Sequence, residues 1–153
     1  MEYPVLILVG LVFVAIALSP LLKSKNSKQF KAKPLLTPNE KEFFGRLREA
    51  LPKQVVLAQV SMGAILAPNM SERNRQEFFR IRGKFAQKII DYVVLDQQFN
   101  IVCIIELDDR SHDKKKDKVR DAMLKEAGYA TIRYESKEKP STRKISSDVS
   151  SVS

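Results

Sequence analysis

The chain has 153 residues, with 27 basic and 18 acidic side chains and a formal charge of +9. This length holds one ordinary domain with extensions, and the charge favours polyanionic partners, either nucleic acid or an anionic membrane surface. A single cysteine excludes an internal disulfide, and with only one histidine a Cys/His zinc site or a Cys–His–Asp protease is poorly supported. Cys103 stands in an apolar run, which favours a buried structural thiol over a nucleophile.

The N-terminal segment Pro4–Leu22 carries no charged residue and predicts a transmembrane helix. A helix from Val5 to its end would extend about 27 Å, close to the roughly 30 Å hydrocarbon core of a bilayer. The alternative is a cleaved signal peptide on a secreted protein. Against it, the preceding flank has Glu2 and no basic residue, and no small-x-small cleavage site precedes Lys23.

Lysines follow this segment at intervals from Lys23 to Lys33. The positive-inside rule then places the C-terminal side in the cytoplasm. We therefore expect a single-pass protein of the inner (cytoplasmic) membrane, with an anchor at 1–22, a basic linker at 23–34 and a cytoplasmic domain at 35–135.

The domain begins with a helix, because Thr37 is a suitable N-cap and Glu40 completes a T-x-x-E capping box. Further elements are predicted in chain order: a strand at Gln54–Val60, a short basic helix at Ser71–Arg80, a strand hairpin within Lys88–His112 turned at Asp96–Asn100, a charged helix at Asp113–Ala127 and a strand at Ala130–Tyr134. The helix before the last strand is a plausible crossover, so a mixed sheet flanked by helices is expected. The tail at 136–153 is rich in Ser and Lys and is expected to be disordered.

The hairpin carries three carboxylates at the borders of its apolar runs. Asp91 interrupts the first run, and Glu106 and Asp108 end the second. Side chains alternate along a strand, so Glu106 and Asp108 point to the same face. Such carboxylates are unfavourable unless they are paired, hydrogen-bonded or bound to a metal. From the residues alone, a metal site and a cluster of structural ion pairs explain them equally well.

Several motifs of the chain are similar to one group of proteins. They are L-T-P-x-E at 36–40, D-Y-V-V-L-D at 91–96, I-E-L-D-D-x-S-H at 105–112, R-D at 120–121, and A-G-Y with I-R-Y at 127–134. Together they resemble a bacterial domain of unknown function in the PD-(D/E)XK superfamily, sometimes attached to membrane segments or topoisomerase-type zinc fingers. The resemblance covers about Leu35–Glu135. It implies an α/β fold with a restriction-endonuclease-like mixed sheet flanked by helices, here preceded by one transmembrane helix.

The resemblance also implies roles for single residues. Asp91 and Glu106 match carboxylates that hold a divalent metal, for which Mg²⁺ or Mn²⁺ is suited. The ion would support phosphodiester hydrolysis of DNA or RNA. Asp108 stands where the superfamily usually has Lys, so it could add metal affinity, bind a second metal or mark a site that no longer cuts. The missing basic group would come from one of three residues: His112, Lys114 or Lys118.

Basic side chains beside the carboxylates indicate a nucleic-acid surface, for which the candidates are Arg110, Lys114, Lys115 and Lys118. A solvated helix explains the same residues almost as well. Two hypotheses therefore stand: a membrane-anchored, metal-dependent nuclease, or a catalytically inactive relative that binds nucleic acid or a protein partner at the membrane.

Overall fold

The computed structural model describes residues 29–71, 73–108 and 114–153 (for 114–117 the backbone only), together with isolated residues near the N-terminus, which are Tyr3, Leu8, Val9, Val12 and Phe13. The chain divides into two units, Met1–Lys33 and Pro34–Ser153. In the first unit the isolated residues are helical and exposed, and residues 29–33 have no regular structure. The second unit carries the fold and the candidate site.

The prediction of a transmembrane helix, and with it of an inner-membrane location, is corrected by the structure. Among the residues described, no helix is both long and apolar enough to cross a bilayer. The longest of these helices, Pro38–Ala50 and Lys114–Glu126, have 13 residues each. They therefore extend about 20 Å, against roughly 30 Å for a hydrocarbon core. Most of the predicted span at 4–22 lies outside the described residues, as do residues 23–28 of the predicted linker at 23–34.

A mixed sheet of four strands, in the order β1-β2-β3-β4, organises the second unit. β1 and β3 both pair antiparallel with β2, and β4 pairs parallel with β3. This arrangement confirms the predicted mixed α/β sheet. The elements are α1 (Pro38–Ala50), β1 (Val55–Ser61), α2 (Met62–Ile65), α3 (Arg75–Arg82), β2 (Ile89–Leu95), β3 (Ile101–Asp108), α4 (Lys114–Glu126), β4 (Thr131–Glu135) and α5 (Thr142–Ser150).

The start of α1 follows the predicted capping box. The Thr37 hydroxyl accepts the Glu40 backbone N–H at 3.3 Å, and the Glu40 carboxylate accepts the Thr37 N–H at 2.6 Å. These two bonds satisfy backbone donors that a helix start otherwise leaves without partners. One turn and two turns further on, Phe43 and Leu47 are buried against the sheet.

Alternate residues of β3 serve two cores on opposite faces of the sheet. Cys103, Ile105 and Leu107 pack with α1 and α5, whereas Ile104 packs with Leu124 of α4. Burial raises the pKa of the Cys103 thiol to about 12, as expected for a structural thiol. By the same alternation, the side chains of Glu106 and Asp108 point to the face covered by α4, here called the α4 side.

The C-terminal segment differs from its expectation. Residues 136–153 were predicted to be disordered, yet they contain α5, whose N-cap Ser141 accepts the backbone N–H of Lys144. Ile145 and Val149 of α5 are buried in the core that α1 also covers. The prediction of disorder rested on the average composition of the segment. Such an average does not detect Ile145 and Val149, which are spaced four residues apart and therefore pack one face of a helix against the core.

Truncation of Ile145, which is 0 % exposed, tests whether α5 belongs to the folded domain. We expect Ile145→Ala to lower the free energy of unfolding by about 2–4 kcal/mol, because it removes buried methyl groups and leaves a cavity. Ser146→Ala, at an exposed position of the same helix, should change it by less than about 0.5 kcal/mol. Urea unfolding measures both, and equal midpoints for the two variants would show that α5 adds nothing to the fold.

Candidate functional site

The sheet register brings the predicted carboxylates together on the α4 side. The antiparallel pairing of β2 with β3 ends at Tyr92 opposite Ile105, and continuing it by one residue places Asp91 beside Glu106. The parallel pairing of β3 with β4 sets Glu106 beside Arg133. These three side chains therefore form a polar row across three neighbouring strands.

Asp91 lies where β2 and β3 stop pairing with each other. Its Oδ2 atom accepts the backbone N–H of Leu107 at 2.9 Å. This bond supplies the Leu107 donor with a partner and fixes the Asp91 carboxylate next to Glu106. The polar interruption of an apolar strand, which the sequence displays, thus has a structural explanation.

Glu106 is the buried member of the row, with 1 % of the residue exposed. Its Oε2 atom lies 3.3 Å from Nη2 of Arg120 on α4, and its Oε1 atom accepts no hydrogen bond from any residue that the structure describes. A buried acceptor without a donor costs about 1–3 kcal/mol. The Glu106 carboxyl therefore lies in a position that is unfavourable for folding.

The environment of Glu106 favours its protonated form. Burial, and then the charge of Asp91, raise the pKa of Glu106 to about 8, in spite of the opposing charges of Arg120 and Arg133. A hydrogen bond between the two carboxyl groups raises this pKa as well. Near neutral pH, the Glu106 carboxyl is therefore protonated in much of the protein.

Arg133 is fixed between two further carboxylates, an arrangement we call the arginine clamp (Asp108, Asp121 and Arg133). Nη1 of Arg133 donates to both oxygens of Asp108 at 2.6 and 2.8 Å. Its Nη2 and Nε donate to Asp121 of α4 at 2.6 and 3.3 Å. Burial alone would lower the pKa of Arg133, but the hydrogen bonds that it donates to the two carboxylates raise this pKa. The clamp ties α4 to β3 and β4.

The remaining predicted site residues are not brought into this cluster by what the structure describes. Arg110 and His112 lie outside the described residues. Only the backbone of Lys114 and Lys115 is described, in the first turn of α4, and Lys118 is exposed on that helix. Their roles in catalysis and nucleic-acid binding stay predictions.

Three site residues had no role predicted from the sequence: Arg120 and Asp121, noted only as the R-D motif, and Arg133. Arg133 appears in the sequence only within the I-R-Y motif, for which no chemical role was predicted. The available signal was its position between Ile132 and Tyr134 in a short apolar strand. A cation there must find a carboxylate on the neighbouring strand or helix, but its partners became visible only through the β3–β4 register.

The donor set fits a hard divalent cation coordinated in part by water. Asp91 and Glu106 offer carboxylate oxygens, and Mg²⁺ usually needs one or two carboxylates besides water and substrate phosphate. In the described parts of the chain, no group of three or more His, Cys, Asp or Glu side chains could hold a metal. Asp108, predicted as a third ligand, is engaged by Arg133 instead.

The fold is thus that of a mixed α/β domain with a polar row at the β2–β3 border. Residues 32–152 match the family model described as "Protein of unknown function (DUF2726)", and the chain belongs to this family. No curated protein and no solved structure matches the chain. The family region includes α5 and so extends beyond the predicted domain end at residue 135, while membership of the PD-(D/E)XK superfamily stays a prediction.

The raised pKa of Glu106 makes stability depend on pH. Between the ordinary value of 4.5 and about 8 the folded protein binds more protons than the unfolded chain, so stability falls as pH rises through this window. We expect Glu106→Gln to resemble the wild type near pH 5 and to be more stable near pH 8. Urea unfolding in the presence of a chelator measures this difference.

The matched control is Glu49→Gln, which removes an exposed carboxylate from α1, on the opposite face of the sheet. Its stability profile should run parallel to that of the wild type between about pH 5 and about pH 8. A Glu106→Gln profile that also ran parallel to the wild type would contradict the shifted pKa.

Proposed function

We propose that this protein is a metal-dependent phosphodiesterase of nuclease-like fold that acts on DNA or RNA. The observation that carries the proposal is the charge balance of the cluster around Glu106. Four carboxylates face two guanidinium groups among these described side chains, which leaves an excess of two negative charges if all are ionised and of one while Glu106 holds its proton. A divalent cation would neutralise this excess.

Asp91 and Glu106 would hold the cation. The Leu107 N–H already fixes Asp91, and the free oxygen of Glu106 would gain the partner that it lacks. Such an ion, when bound, supplies an activated water and stabilises charge on a phosphodiester. The protein contributes the orientation of the two carboxylates, which the strand pairing and the Leu107 bond provide.

Asp108 acts as a positioning residue in this proposal. Its bidentate pair with Arg133 uses both carboxylate oxygens, and Asp121 holds the other edge of the same guanidinium. Metal coordination by Asp108 would require breaking this pair. The arginine clamp instead keeps α4, with Arg120, packed beside Glu106.

Nucleic acid is the substrate class that the charge of the chain supports. The formal charge of +9 favours a polyanion. Lys118 is exposed on α4, two residues before Arg120, where it can attract a phosphate backbone.

A second function, a catalytically inactive domain that binds nucleic acid, is favoured by one observation. The engagement of Asp108 by Arg133 leaves two carboxylates for a metal rather than three. In that case nucleic-acid binding would persist in Asp91→Asn and no cleavage would accompany it.

The decisive variants are Asp91→Asn and Glu106→Gln. We expect the wild type to cleave labelled DNA or RNA with Mg²⁺ or Mn²⁺ but not with chelator. Each variant should lose at least about 100-fold in rate, since loss of a ligand should exceed the 10–100-fold effect typical of residues that only support ligands. Calorimetric titration with Mn²⁺ should lose its binding signal in parallel. Glu49→Gln serves again as the control and should retain both properties.

Absence of cleavage on DNA and RNA, together with absence of Mn²⁺ binding by the folded wild type, would refute the phosphodiesterase. Absence of cleavage with retained nucleic-acid binding would support the second function.

The role of Asp108 is tested by a double-mutant cycle. If Asp108 and Arg133 form a clamp, Asp108→Asn and Arg133→Gln should each destabilise the fold. Their effects should be non-additive by about 0.5–3 kcal/mol, because either change breaks the same ion pair. Asp108→Asn should also retain Mn²⁺ binding. Loss of Mn²⁺ binding equal to that in Asp91→Asn would instead make Asp108 a ligand.

A further inference from the structure

Helix α3 presents one exposed stripe of alternating charge and aromatic surface. Arg75, Phe79 and Arg82 follow one another at spacings of four and three residues, which places them on a single helix face. Phe79 is 55 % exposed, and no residue of α3 is fully buried. We call this the Arg–Phe–Arg stripe; it extends about 10 Å along the helix.

Packing of the domain does not explain the exposed ring. On the inner face of α3, Ile81 packs against the core of the α4 side, whereas Phe79 is not part of that core. The guanidinium carbon of Arg75 lies 5.9 Å from the Phe79 ring centroid, within cation–π range. Phe78 meets the same ring edge-on at 5.6 Å, which restricts its orientation. The ring is thus held in place at the surface beside a positive charge.

The surroundings of the stripe are strongly basic. Residues 73–84 contain five basic side chains and one acidic side chain. That acidic residue, Glu77, pairs with Arg80 at 2.5 Å. Among the described residues, the other basic side chains of the segment make no ion pair; they are Arg73, Arg75, Arg82 and Lys84. This surplus attracts a polyanion at physiological salt.

We infer that the Arg–Phe–Arg stripe binds single-stranded nucleic acid, with Phe79 stacked on an unpaired base and Arg75 and Arg82 on flanking phosphates. Every base has a π-face, so stacking needs no particular sequence. A duplex hides these faces within its own stack, and an acidic polypeptide has none. The inference deepens the proposed function by naming its substrate as single-stranded, but it depends on none of the carboxylates of the polar row.

The stripe lies on the sheet face that carries the polar row. Ile81 of α3 and Leu124 of α4 belong to one core. A cavity of about 600 Å³ separates the helices. It is lined by Arg80 from α3, by Lys84 just after that helix, and by Met123 and Glu126 from α4. A strand bound along α3 therefore lies on the α4 side of the sheet, as Asp91 and Glu106 do.

The experiment measures fluorescence anisotropy of a labelled oligothymidylate of about 16 nucleotides with the full-length chain in chelator. Without metal no cleavage occurs, so binding is measured separately from the proposed hydrolysis. We expect Phe79→Ala to weaken binding about tenfold and Phe79→Trp to retain it, since stacking needs only an aromatic face. The pair Arg75→Gln with Arg82→Gln should reduce the slope of log affinity against log salt by about 1.4, or about 0.7 for each lost phosphate contact.

Two matched variants control for charge and aromatic surface elsewhere. Phe99→Ala removes a ring that is 71 % exposed in the β2–β3 turn, and Arg143→Gln removes an exposed cation from α5. Both should bind like the wild type.

Unchanged binding in Phe79→Ala would overturn the inference, as would an equal loss in Phe99→Ala. Equal competition by an unlabelled duplex or by polyglutamate would overturn it too, because neither offers an unpaired base. Intact binding without hydrolysis would leave the inference standing and refute only the phosphodiesterase. If Phe79→Ala changed neither hydrolysis nor binding, the phosphodiesterase would stand and the inference would be refuted.

Discussion

Burial of the Glu106 carboxyl beside a second carboxylate is the constraint on which the rest of the site depends. A carboxyl that is 1 % exposed is unfavourable in its charged form, and Asp91 makes the charged form less favourable still. The surrounding residues offset this only in part, through Arg120 and the more distant charge of Arg133. The cation that we propose would offset the negative charge that these residues leave uncompensated.

The arginine clamp gives the helix over the sheet a fixed position. Asp108 and Asp121 hold opposite edges of one guanidinium, so a shift of α4 relative to β3 would break charge-assisted hydrogen bonds. Loss of one member would leave partly buried charge without compensation, which is more destabilising than loss of an exposed ion pair. The same helix that the clamp fixes also supplies Arg120 to Glu106. A change that loosens the packing of α4 would therefore also change the geometry of the polar row.

Local signals in the sequence predicted much of the domain because they act within a few residues. The Thr37 capping box set the start of α1, and the β-branched runs around Asp91 and Glu106 predicted the central hairpin. The C-terminal helix was missed because only Ile145 and Val149 reach the core, and their effect vanishes in a composition average. The predicted membrane helix rested on the apolar length of residues 4–22 and on the charges that flank it. None of the helices among the described residues is long and apolar enough to cross a bilayer.

The sequence by itself determined that three carboxylates stand at strand ends and that two of them share a face, since strand periodicity is a property of the backbone. Only the tertiary structure decided how they differ. The register sets Asp91 and Glu106 side by side, and the parallel pairing of β3 with β4 delivers Arg133 to Asp108. These neighbours are separated by 15 residues or more along the chain, so their contacts depend on strand order and helix docking. No local pattern encodes which carboxylate receives the arginine and which is left with a proton.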